Sequence, residues 1–405
     1  MTEPAVSPAE LKKHVQTVLP EIIELRHTLH KIPEIHLEEF KTSALIRKEV
    51  EKSGLEILPP YLETDVVGLL RSKAAGAAES PNVTLRADMD GLPLQEKTGC
   101  AWSSVHEGRA HACGHDGHMA ILMGVLRVLE RLSGRLAGSV RFVFQPGEEE
   151  AGGGKMMVER GLLNAEPLPA AVFALHGWPG LPSGSVAVMP GTAMAAADTF
   201  TLTVRGKGGH GAAPHKAADP IVAGAQIITA LQTIVSRNIN PLLPAVVSVC
   251  HIRGGSTTNI IPGEVVMQGT TRYFDRRFGE LIRRRMKEII NGICAAAGVE
   301  YSFEYLDGYI PLVNDPERVR LAREVTETYL GGDVWLPDPP ATMGAEDFAF
   351  YLDKVPGAFL RLGMGKNCKP LHHPGFDFND RVLETGITVM AGLALESLKR
   401  AGAAG

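Results

Sequence analysis

Cysteine is scarce in this sequence, and long apolar runs and an excess of basic residues are missing. The five cysteines are Cys100, Cys113, Cys250, Cys294 and Cys368. Their odd number and wide spacing argue against a disulfide framework and fit a reducing compartment. No stretch approaches the roughly 20 apolar residues of a membrane-spanning helix, and residues 1–10 lack a basic segment followed by an apolar one. We therefore expect a cytoplasmic protein with no membrane partner.

The overall charge also excludes classes of partner. A formal net charge of −5 provides no basic field, so binding to nucleic acid or to an anionic membrane is not expected. Hydrophobic residues make up 44% and charged residues 21%, which is ordinary for a globular protein. A chain of 405 residues suits two domains, one of which can be inserted into the other.

The first half of the chain alternates between helical and strand-like segments. Ser7 and Glu10 form a capping box, which predicts a helix to about Lys31, and Pro33 ends it. Further helices are predicted at 38–53 and 117–132, and strands at 66–70, 83–87, 139–144 and 171–175, with a surface loop at 72–81. The same pattern returns late, with a strand near 359–362 and a helix from about 380. This alternation predicts a sheet covered by helices, with ligand chemistry at the strand ends.

The pattern changes near residue 195. Strands are predicted at 199–204, 245–252, 264–273 and 299–305, and helices at 219–237 and 277–297. The order β-α-β-β-α-β is that of a ferredoxin-like unit. We therefore predict an inserted domain at 195–307, so that residues 1–194 and 308–405 together form the other domain.

Residues 111–118 hold the densest group of polar side chains. Three histidines, one cysteine and one aspartate in this stretch are soft and borderline metal ligands. If the stretch is extended, Cys113 and His115 point to the same side and can share a metal site. The alternative is a polar helix N-terminus in which Asp116 caps the helix and the histidines are solvated.

Three adjacent glutamates, Glu148, Glu149 and Glu150, follow the predicted strand 139–144. Their mutual repulsion near a strand end is relieved if a cation neutralises at least one of them. One glutamate can then bind a metal while its neighbour takes a proton from metal-bound water and later protonates the leaving amine. The alternative is a solvated acidic turn.

Other candidate ligands lie near further strand ends. Asp88 and Asp90 fit a metal ligand, a partner that orients a histidine, or a plain turn. His176 directly follows the strand 171–175. His372 and His373 precede Pro374, which favours an extended backbone with the two rings facing opposite ways, so at most one of them binds.

Five candidate ligands are thus available, namely Cys113, His115, Glu149, His176 and one of the paired histidines. Five ligands exceed what one tetrahedral ion with an open position needs. Two ions about 3.5–4 Å apart, bridged by a shared ligand and water, would use them better.

Two glycine-rich segments imitate nucleotide-binding motifs. Residues 206–211 match the G-x-G-x-x-G spacing, but the next strand ends near His251 and Arg253, where an acid should hold the ribose. Nicotinamide binding is therefore not expected. Residues 152–155 are not a P-loop, because Met156 follows the lysine where a serine or threonine should bind magnesium.

Taken together, the motifs resemble those of the metal-dependent amidohydrolase branch of the aminoacylase and carboxypeptidase superfamily. That group includes hippurate hydrolase and the plant hydrolases of indole-acetyl amino acids. The resemblance covers nearly the whole chain, through residues 29–34, 86–93, 111–118, 145–149, 206–215, 259–262, 344–348 and 371–374. It implies an α/β, zinc-exopeptidase-like catalytic domain with a mixed sheet between helices. The inserted ferredoxin-like domain would be a lid or dimerisation domain.

The resemblance also implies roles for individual residues. Two divalent ions, of zinc, manganese, cobalt or nickel, would be held by Cys113, His115, Glu149, His176 and His372. Glu148 would be general acid and base, and Asp90 would orient a ligand. His210 resembles the lid histidine that stabilises the tetrahedral intermediate, sometimes across a dimer interface. Asn259 and Arg272 would hold the substrate carboxylate, since an arginine fork matches it, although Arg272 also fits a surface strand residue.

The function that this resemblance implies is hydrolysis of the amide bond of small N-acyl amino acids by a homodimer or homotetramer. A dipeptidase or carboxypeptidase of the same superfamily is the alternative, and a binding protein that has lost catalysis is a third. Three positions depart from the usual pattern. Glu150 replaces a common glycine, Ala345 replaces a small hydroxyl residue, and the histidine at 372–373 is doubled.

Overall fold

The computed structural model describes residues 4–74, 81–337 and 339–403. The chain forms two compact units. The first unit comprises Met1–Gly191, Val313–Pro340 and Glu346–Gly405, and the second comprises Thr192–Leu312 and Ala341–Ala345. The insertion predicted at 195–307 falls within the second unit.

The described residues form helices and strands in the following order. The helices are α1 (Pro8–His30), α2 (Phe40–Lys52), α3 (His115–Arg131), α4 (Gly153–Glu159), α5 (Pro220–Thr233), α6 (Arg276–Ala297), α7 (Pro316–Tyr329), α8 (Ala349–Leu352) and α9 (Leu383–Ala403). The strands are β1 (Glu56–Ile57), β2 (Val66–Leu70), β3 (Asn82–Asp88), β4 (Ser139–Gln145), β5 (Pro169–Trp178), β6 (Val186–Ala187), β7 (Gly191–Met194), β8 (Ala196–Arg205), β9 (Gly209–His210), β10 (Ala245–Gly254), β11 (Ile260–Ile261), β12 (Glu264–Tyr273), β13 (Glu300–Tyr309), β14 (Leu312–Asn314), β15 (Trp335–Leu336) and β16 (Gly357–Gly363).

Helix α1 begins as the sequence predicts. Ser7 Oγ accepts a hydrogen bond from the backbone N–H of Glu10 at 3.2 Å, and Pro8 occupies the first turn. The buried apolar side chains follow helical spacing along one face of α1: Leu11, Val15, Val18, Ile22, Leu25 and Leu29. This face packs on α3, so the helix is held mainly by the apolar core.

An eight-stranded mixed sheet forms the centre of the first unit, in the order β1-β2-β4-β3-β5-β16-β6-β15. Its central neighbours β4, β3, β5 and β16 are parallel, whereas β2 and β6 run antiparallel to their neighbours β4 and β16. Strands β3 and β4 are buried along their whole length, which requires cover on both faces. The predicted α/β fold with a mixed sheet between helices is confirmed.

The second unit contains a four-stranded antiparallel sheet in the order β10-β12-β8-β13, with α5 and α6 packed on it. The chain order β8-α5-β10-β12-α6-β13 is the ferredoxin-like arrangement that the sequence predicts. Helix α5 ends at Thr233 rather than near residue 237, because Ile234–Asn238 winds into a π-helical turn.

Some elements were not predicted. Helices α4, α7 and α8 are absent from the expectations, although Asp315 and Pro316 give α7 an ordinary start signal: the Asp315 side chain accepts from the Arg318 N–H at 2.9 Å. Of the surface loop predicted at 72–81, residues 75–80 lie outside the described residues. Within the part of the chain that the structure describes, no helix has the combined length and apolar character that a bilayer crossing requires.

Candidate active site

The candidate site lies at one edge of the mixed sheet. Strands β3, β4 and β5 are parallel, so their carboxyl ends meet at the same edge. Strand β3 ends at Asp88, two residues before Asp90, and β4 ends three residues before Glu148. His176 lies near the end of β5. The parallel order of the strands therefore brings together residues that are far apart along the chain.

Cys113 and His115 are brought together, but not in the way predicted. Gly114 has a left-handed backbone with φ of 91°, and His115 is the first residue of α3, so the segment is not extended. The Cys113 Sγ atom lies 3.4 Å from His176 Nε2. Donor atoms of Cys113, His115 and His176 all lie within 4.8 Å of one another. A turn at Gly114, rather than strand alternation, places the two side chains at one point.

Hydrogen bonds fix the orientation of both histidine rings. His115 Nδ1 lies 3.2 Å from Asp90 Oδ1, so it donates to this carboxylate. His176 Nδ1 lies 2.8 Å from the carbonyl oxygen of Gly177 and donates to it. With each Nδ1 used as a donor, each Nε2 presents a lone pair, which is the form that binds a metal.

Glu149 and His372 extend the same group of donors. Glu149 Oε1 lies 3.9 Å from His115 Nε2 and 3.1 Å from His372 Nε2. The donor atoms of Cys113, Glu149 and His372 also lie within 4.8 Å of one another. The backbone N–H of His372 donates to the carbonyl of Ala112 at 2.8 Å, which ties it to the cysteine segment. His373 instead accepts from the N–H of Gly375, so the two rings have separate contacts.

Two buried donor atoms in this group lack a hydrogen-bond partner. They are His115 Nε2 and Glu149 Oε1. Leaving such atoms unsatisfied in the interior costs free energy. Thiol, imidazole and carboxylate together are the donor set of zinc and similar divalent ions, and coordination would satisfy both atoms. The residues present therefore fit a metal centre.

Glu148 lies beside these donors. It is buried, and a carboxylate oxygen of Glu148 lies within 4.8 Å of donor atoms of His115 and Glu149. Burial, followed by the charges of Glu346 and Glu149, raises the pKa of the Glu148 carboxyl well above its usual range. Burial and the neighbouring Glu149 and Glu148 likewise raise the pKa of the Cys113 thiol. Acidic groups thus surround both side chains, and an acid there can hold a proton between two steps of a reaction.

Asp90 and Asp88 have different roles in the structure. Asp90 contacts His115 through Oδ1, while its Oδ2 accepts the backbone N–H of Glu149 at 3.0 Å. Asp88 accepts from Arg86 at 2.8 Å and from His118 Nδ1 at 2.6 Å. His118 Nε2 in turn accepts the N–H of Gly177 at 2.8 Å, so both nitrogens of that ring are already in hydrogen bonds.

A buried network that sequence reasoning missed supports the same edge. Arg86 donates to Gln145 at 2.9 Å and to Asp347 at 2.7 Å, and its guanidinium lies 3.1 Å from Glu346. The signal was available, since the paired acids Glu346 and Asp347 directly precede the apolar Phe348 and need a buried cation if they are inside. The pairing itself joins β3 to a segment some 260 residues later, which sequence spacing does not reveal.

The predicted substrate residues lie in the second unit, where two of them are neighbours. Ile260 pairs with His210 in the β9–β11 ladder, and the Asn259 carbonyl accepts from the N–H of Gly211 at 2.8 Å. His210 and Asn259 are both exposed.

Arg272 is not close to this pair. It lies eight residues along β12 from Glu264, about 27 Å at 3.4 Å per residue. The structure therefore does not bring Arg272 and Asn259 together within one chain.

The glycine-rich segment at 206–211 serves close backbone packing. A Cβ atom added to Gly206 would lie 2.1 Å from the Ala218 carbonyl oxygen, and one added to Gly208 would lie 2.7 Å from that of Ile261. Only glycine permits these approaches. The spacing that imitates a dinucleotide motif thus has a structural reason.

Comparison with known proteins agrees with this geometry. The model of peptidase family M20/M25/M40 matches residues 84–396, which is most of the chain. The chain belongs to peptidase family M20. It is a metal-dependent amidohydrolase of that family, and the predicted resemblance is confirmed.

Individual M20 relatives act on related bonds. N-acetyl-L-cysteine deacetylase of Bacillus subtilis is 38% identical, over 96% of this chain and 89% of the relative. Thermostable carboxypeptidase 1 of Saccharolobus solfataricus is 36% identical, over 96% of this chain and 98% of the relative. The crystal structure of the Bacillus subtilis YXEP protein, a dinuclear metal-binding M20 peptidase, has a TM-score of 0.82 and 32% identity, over 95% of this chain and 99% of that one.

Proposed function

We propose that this M20 enzyme hydrolyses the amide bond of N-acyl amino acids, with Glu148 as general base and then general acid. The observation that carries the proposal is the position of Glu148 beside two buried donors that lack partners, His115 Nε2 and Glu149 Oε1. A proton acceptor next to a cation-binding group is the arrangement that amide hydrolysis by water needs.

Two divalent ions complete the proposed centre. Cys113, His115, Glu149, His176 and His372 would hold them, and the mixed donor set accepts zinc, manganese, cobalt or nickel. When bound, the ions supply Lewis acidity toward the amide carbonyl and make a water more acidic. The similarity to a dinuclear M20 peptidase supports the number of ions.

The protein's own side chains carry the proton transfers. Glu148 removes a proton from the attacking water and returns it to the leaving amine, so the same carboxyl acts twice. Asp90 holds the His115 ring and the Glu149 backbone in place during both steps. In the second unit, His210 is proposed to stabilise the tetrahedral intermediate, and Asn259 and Arg272 to bind the substrate carboxylate.

The test compares Glu148→Gln with Glu150→Gln. Glu148→Gln should keep its bound metal but lose about 100-fold to 10,000-fold in kcat on an N-acetyl amino acid, since general acid–base catalysis contributes this much. The Glu150 side chain is 63% exposed, so its glutamine variant is a matched control that should retain turnover. Near-normal turnover by Glu148→Gln would remove Glu148 from the role.

A dipeptidase or carboxypeptidase is the second candidate, favoured by the similarity to a thermostable carboxypeptidase. Purified enzyme loaded separately with each of the four metals should be assayed on N-acetyl and N-benzoyl amino acids and on free dipeptides. The proposal expects the acylated amino acids to give the higher kcat/KM with at least one metal. The opposite order would favour the peptidase.

Assembly as a homodimer or homotetramer is also proposed. The sheet of the second unit has β10 at an edge, with β12 as its neighbour on one side, and an open edge can pair with a second copy. The distance of Arg272 from Asn259 supports this, because both could serve one carboxylate only if two copies contribute. Light scattering would give the molar mass. Location in the cytoplasm stays a prediction.

A further inference from the structure

Buried carboxylates hold the backbone of the loop that carries Glu148 and Glu149. This Glu148 loop comprises residues 146–154, between the end of β4 and the start of α4. Glu39 Oε1 accepts the N–H of Gly147 at 2.9 Å, Asp90 Oδ2 accepts that of Glu149 at 3.0 Å, and Asp347 Oδ2 accepts that of Gly154 at 2.7 Å. The loop is thus fixed before, within and after its two glutamates.

Glu39 differs from the other two carboxylates in what else it contacts. Asp90 also contacts His115, and Asp347 also binds Arg86, so each has a second task. The hydrogen bonds of Glu39 go to the N–H groups of Leu37 and Gly147, through Oε1, and to the Thr64 hydroxyl, through Oε2. Its effect on the site therefore passes through the Glu148 loop.

The backbone at this contact is tightly determined. Gly147 has φ of 65°, and a Cβ atom there would lie 3.2 Å from the side chains of Leu37 and Ala151. Leu37 itself has φ of 59°, which is uncommon for a residue other than glycine. The Glu39 carboxylate accepts the N–H groups of both left-handed residues, so it holds two strained turns against each other.

Keeping a carboxylate here is costly. Glu39 is fully buried, and burial together with the charge of Asp90 raises its pKa to about 7. An apolar side chain would avoid the desolvation of a carboxyl group but would leave the two N–H groups without an acceptor. The position therefore favours a function for the acceptor itself.

We propose that Glu39 is a positioning residue that holds Gly147, and through it the Glu148 carboxyl, at the productive place beside the metal ligands. The inference rests on the proposed role of Glu148 as general base. Without the acceptor, the loop can shift by a fraction of an ångström at Gly147, and misplacing a reacting group by about 1 Å can cost on the order of 100-fold in rate.

The experiment compares Glu39→Ala, Glu39→Gln and Glu34→Ala. Glu34 is the matched control, because it is also buried and accepts the N–H and hydroxyl of Thr42 on α2, at 2.9 and 3.0 Å, instead of the loop. For each variant, kcat and KM on an N-acetyl amino acid, bound metal per chain and the melting temperature are measured.

Glu39→Ala should lower kcat by about 10-fold to 100-fold, with KM and metal content nearly unchanged. Glu39→Gln should restore kcat to within about threefold of the parent, because its Oε1 can still accept both N–H groups and its amide can donate to Thr64. Glu34→Ala should lower the melting temperature as much as Glu39→Ala does, but keep kcat. If Glu39→Ala does not fold, Glu39→Asp, which draws the carboxylate back from Gly147, should show the same loss of kcat.

Two outcomes would overturn the positioning role: an unchanged kcat in Glu39→Ala, or an equal loss of kcat in Glu34→Ala. Loss of bound metal in Glu39→Ala would also overturn it, because the residue would then support the ligands instead. These outcomes are separable from failure of the proposed function, which is decided by Glu148→Gln. If that variant is inactive and Glu39→Ala is not impaired, only the positioning role falls.

Discussion

Two buried polar clusters meet at the start of α3, and they are neutralised differently. The ligand cluster consists of Cys113, His115, Glu149, His176 and His372. The arginine cluster consists of Arg26, His30, Asp116, Asp377 and Asp380. In the arginine cluster, Asp116 Oδ2 accepts from Arg26 Nε and from His30 Nδ1, both at 2.8 Å. Arg26 also binds Asp377 and lies 3.5 Å from Asp380.

The difference shows why one cluster is a candidate active site and the other is not. Among the described residues, the polar contacts of the ligand cluster go to histidine, thiol, carboxylate and backbone groups, and two donors have no partner. The arginine cluster contains its own cation. Buried charges need compensation. The ligand cluster must therefore obtain a cation from outside the chain, and that requirement makes it a metal site.

Removing metal should break the comparison most strongly. Exhaustive chelation should reduce amide hydrolysis by at least about 100-fold and lower the unfolding free energy, by about 4 kcal/mol relative to enzyme with free metal at 1,000 times Kd. Adding back zinc or manganese should restore both. Activity before and after chelation, with metal analysis, measures the effect. Undiminished activity in metal-free enzyme would contradict the metal site itself.

Removing the resident cation should damage stability instead. Arg26→Met leaves Asp116 buried without its arginine, which should cost about 3–5 kcal/mol of unfolding free energy. Bound metal per folded chain should stay near that of the parent. Arg320→Met is the control, because Arg320 pairs with glutamates on an exposed face of α7 and its loss should leave the denaturation midpoint unchanged. Loss of metal with unchanged stability in Arg26→Met would contradict the distinction.

The pH dependence of stability should sharpen the comparison with a smaller effect. Burial lowers the pKa of His30, but Asp116 and Glu96 outweigh it and raise this pKa to about 10. A raised histidine pKa stabilises the fold fully below the unfolded value of 6.5 and loses that contribution as pH rises through 10. Between these values, His30 should cost up to about 1.4 kcal/mol of stability per pH unit.

His30→Gln should flatten that decline. Denaturation midpoints of the parent and variant at pH 6, 8 and 9.5 measure it, and the two proteins should differ most at pH 6. A constant difference across this range would mean that His30 is not charged in the folded protein.

Local signals in the sequence were sufficient for much of the fold. The Ser7 cap, the apolar spacing of α1 and the strand alternation in 264–273 each depend on residues within a few positions, and the structure agrees with them. The candidate ligands were identifiable because cysteine, histidine and acidic residues at strand ends are rarely placed there without a reason. Their convergence followed from the prediction of parallel strands.

What failed depends on pairings over long separations. Glu39 and Gly147 are 108 positions apart, and Arg26 and Asp377 are 351 apart, so neither pair leaves a periodic pattern. The extended backbone assumed for Cys113 and His115 was wrong because Gly114 can adopt a left-handed turn that alternation arguments ignore. The separation of Arg272 from Asn259 is set by the direction of β12, which the residue types alone do not indicate.

His115 and Asp116 are consecutive residues, yet one faces the ligand cluster and the other the arginine cluster. Successive side chains on a helix point about 100° apart, so this division depends on where α3 begins. One residue inserted between Gly114 and His115 would turn every later side chain by that angle and misalign both clusters at once. The helix start thus acts as a shared reference point, and the length of this segment should tolerate change less than its composition does.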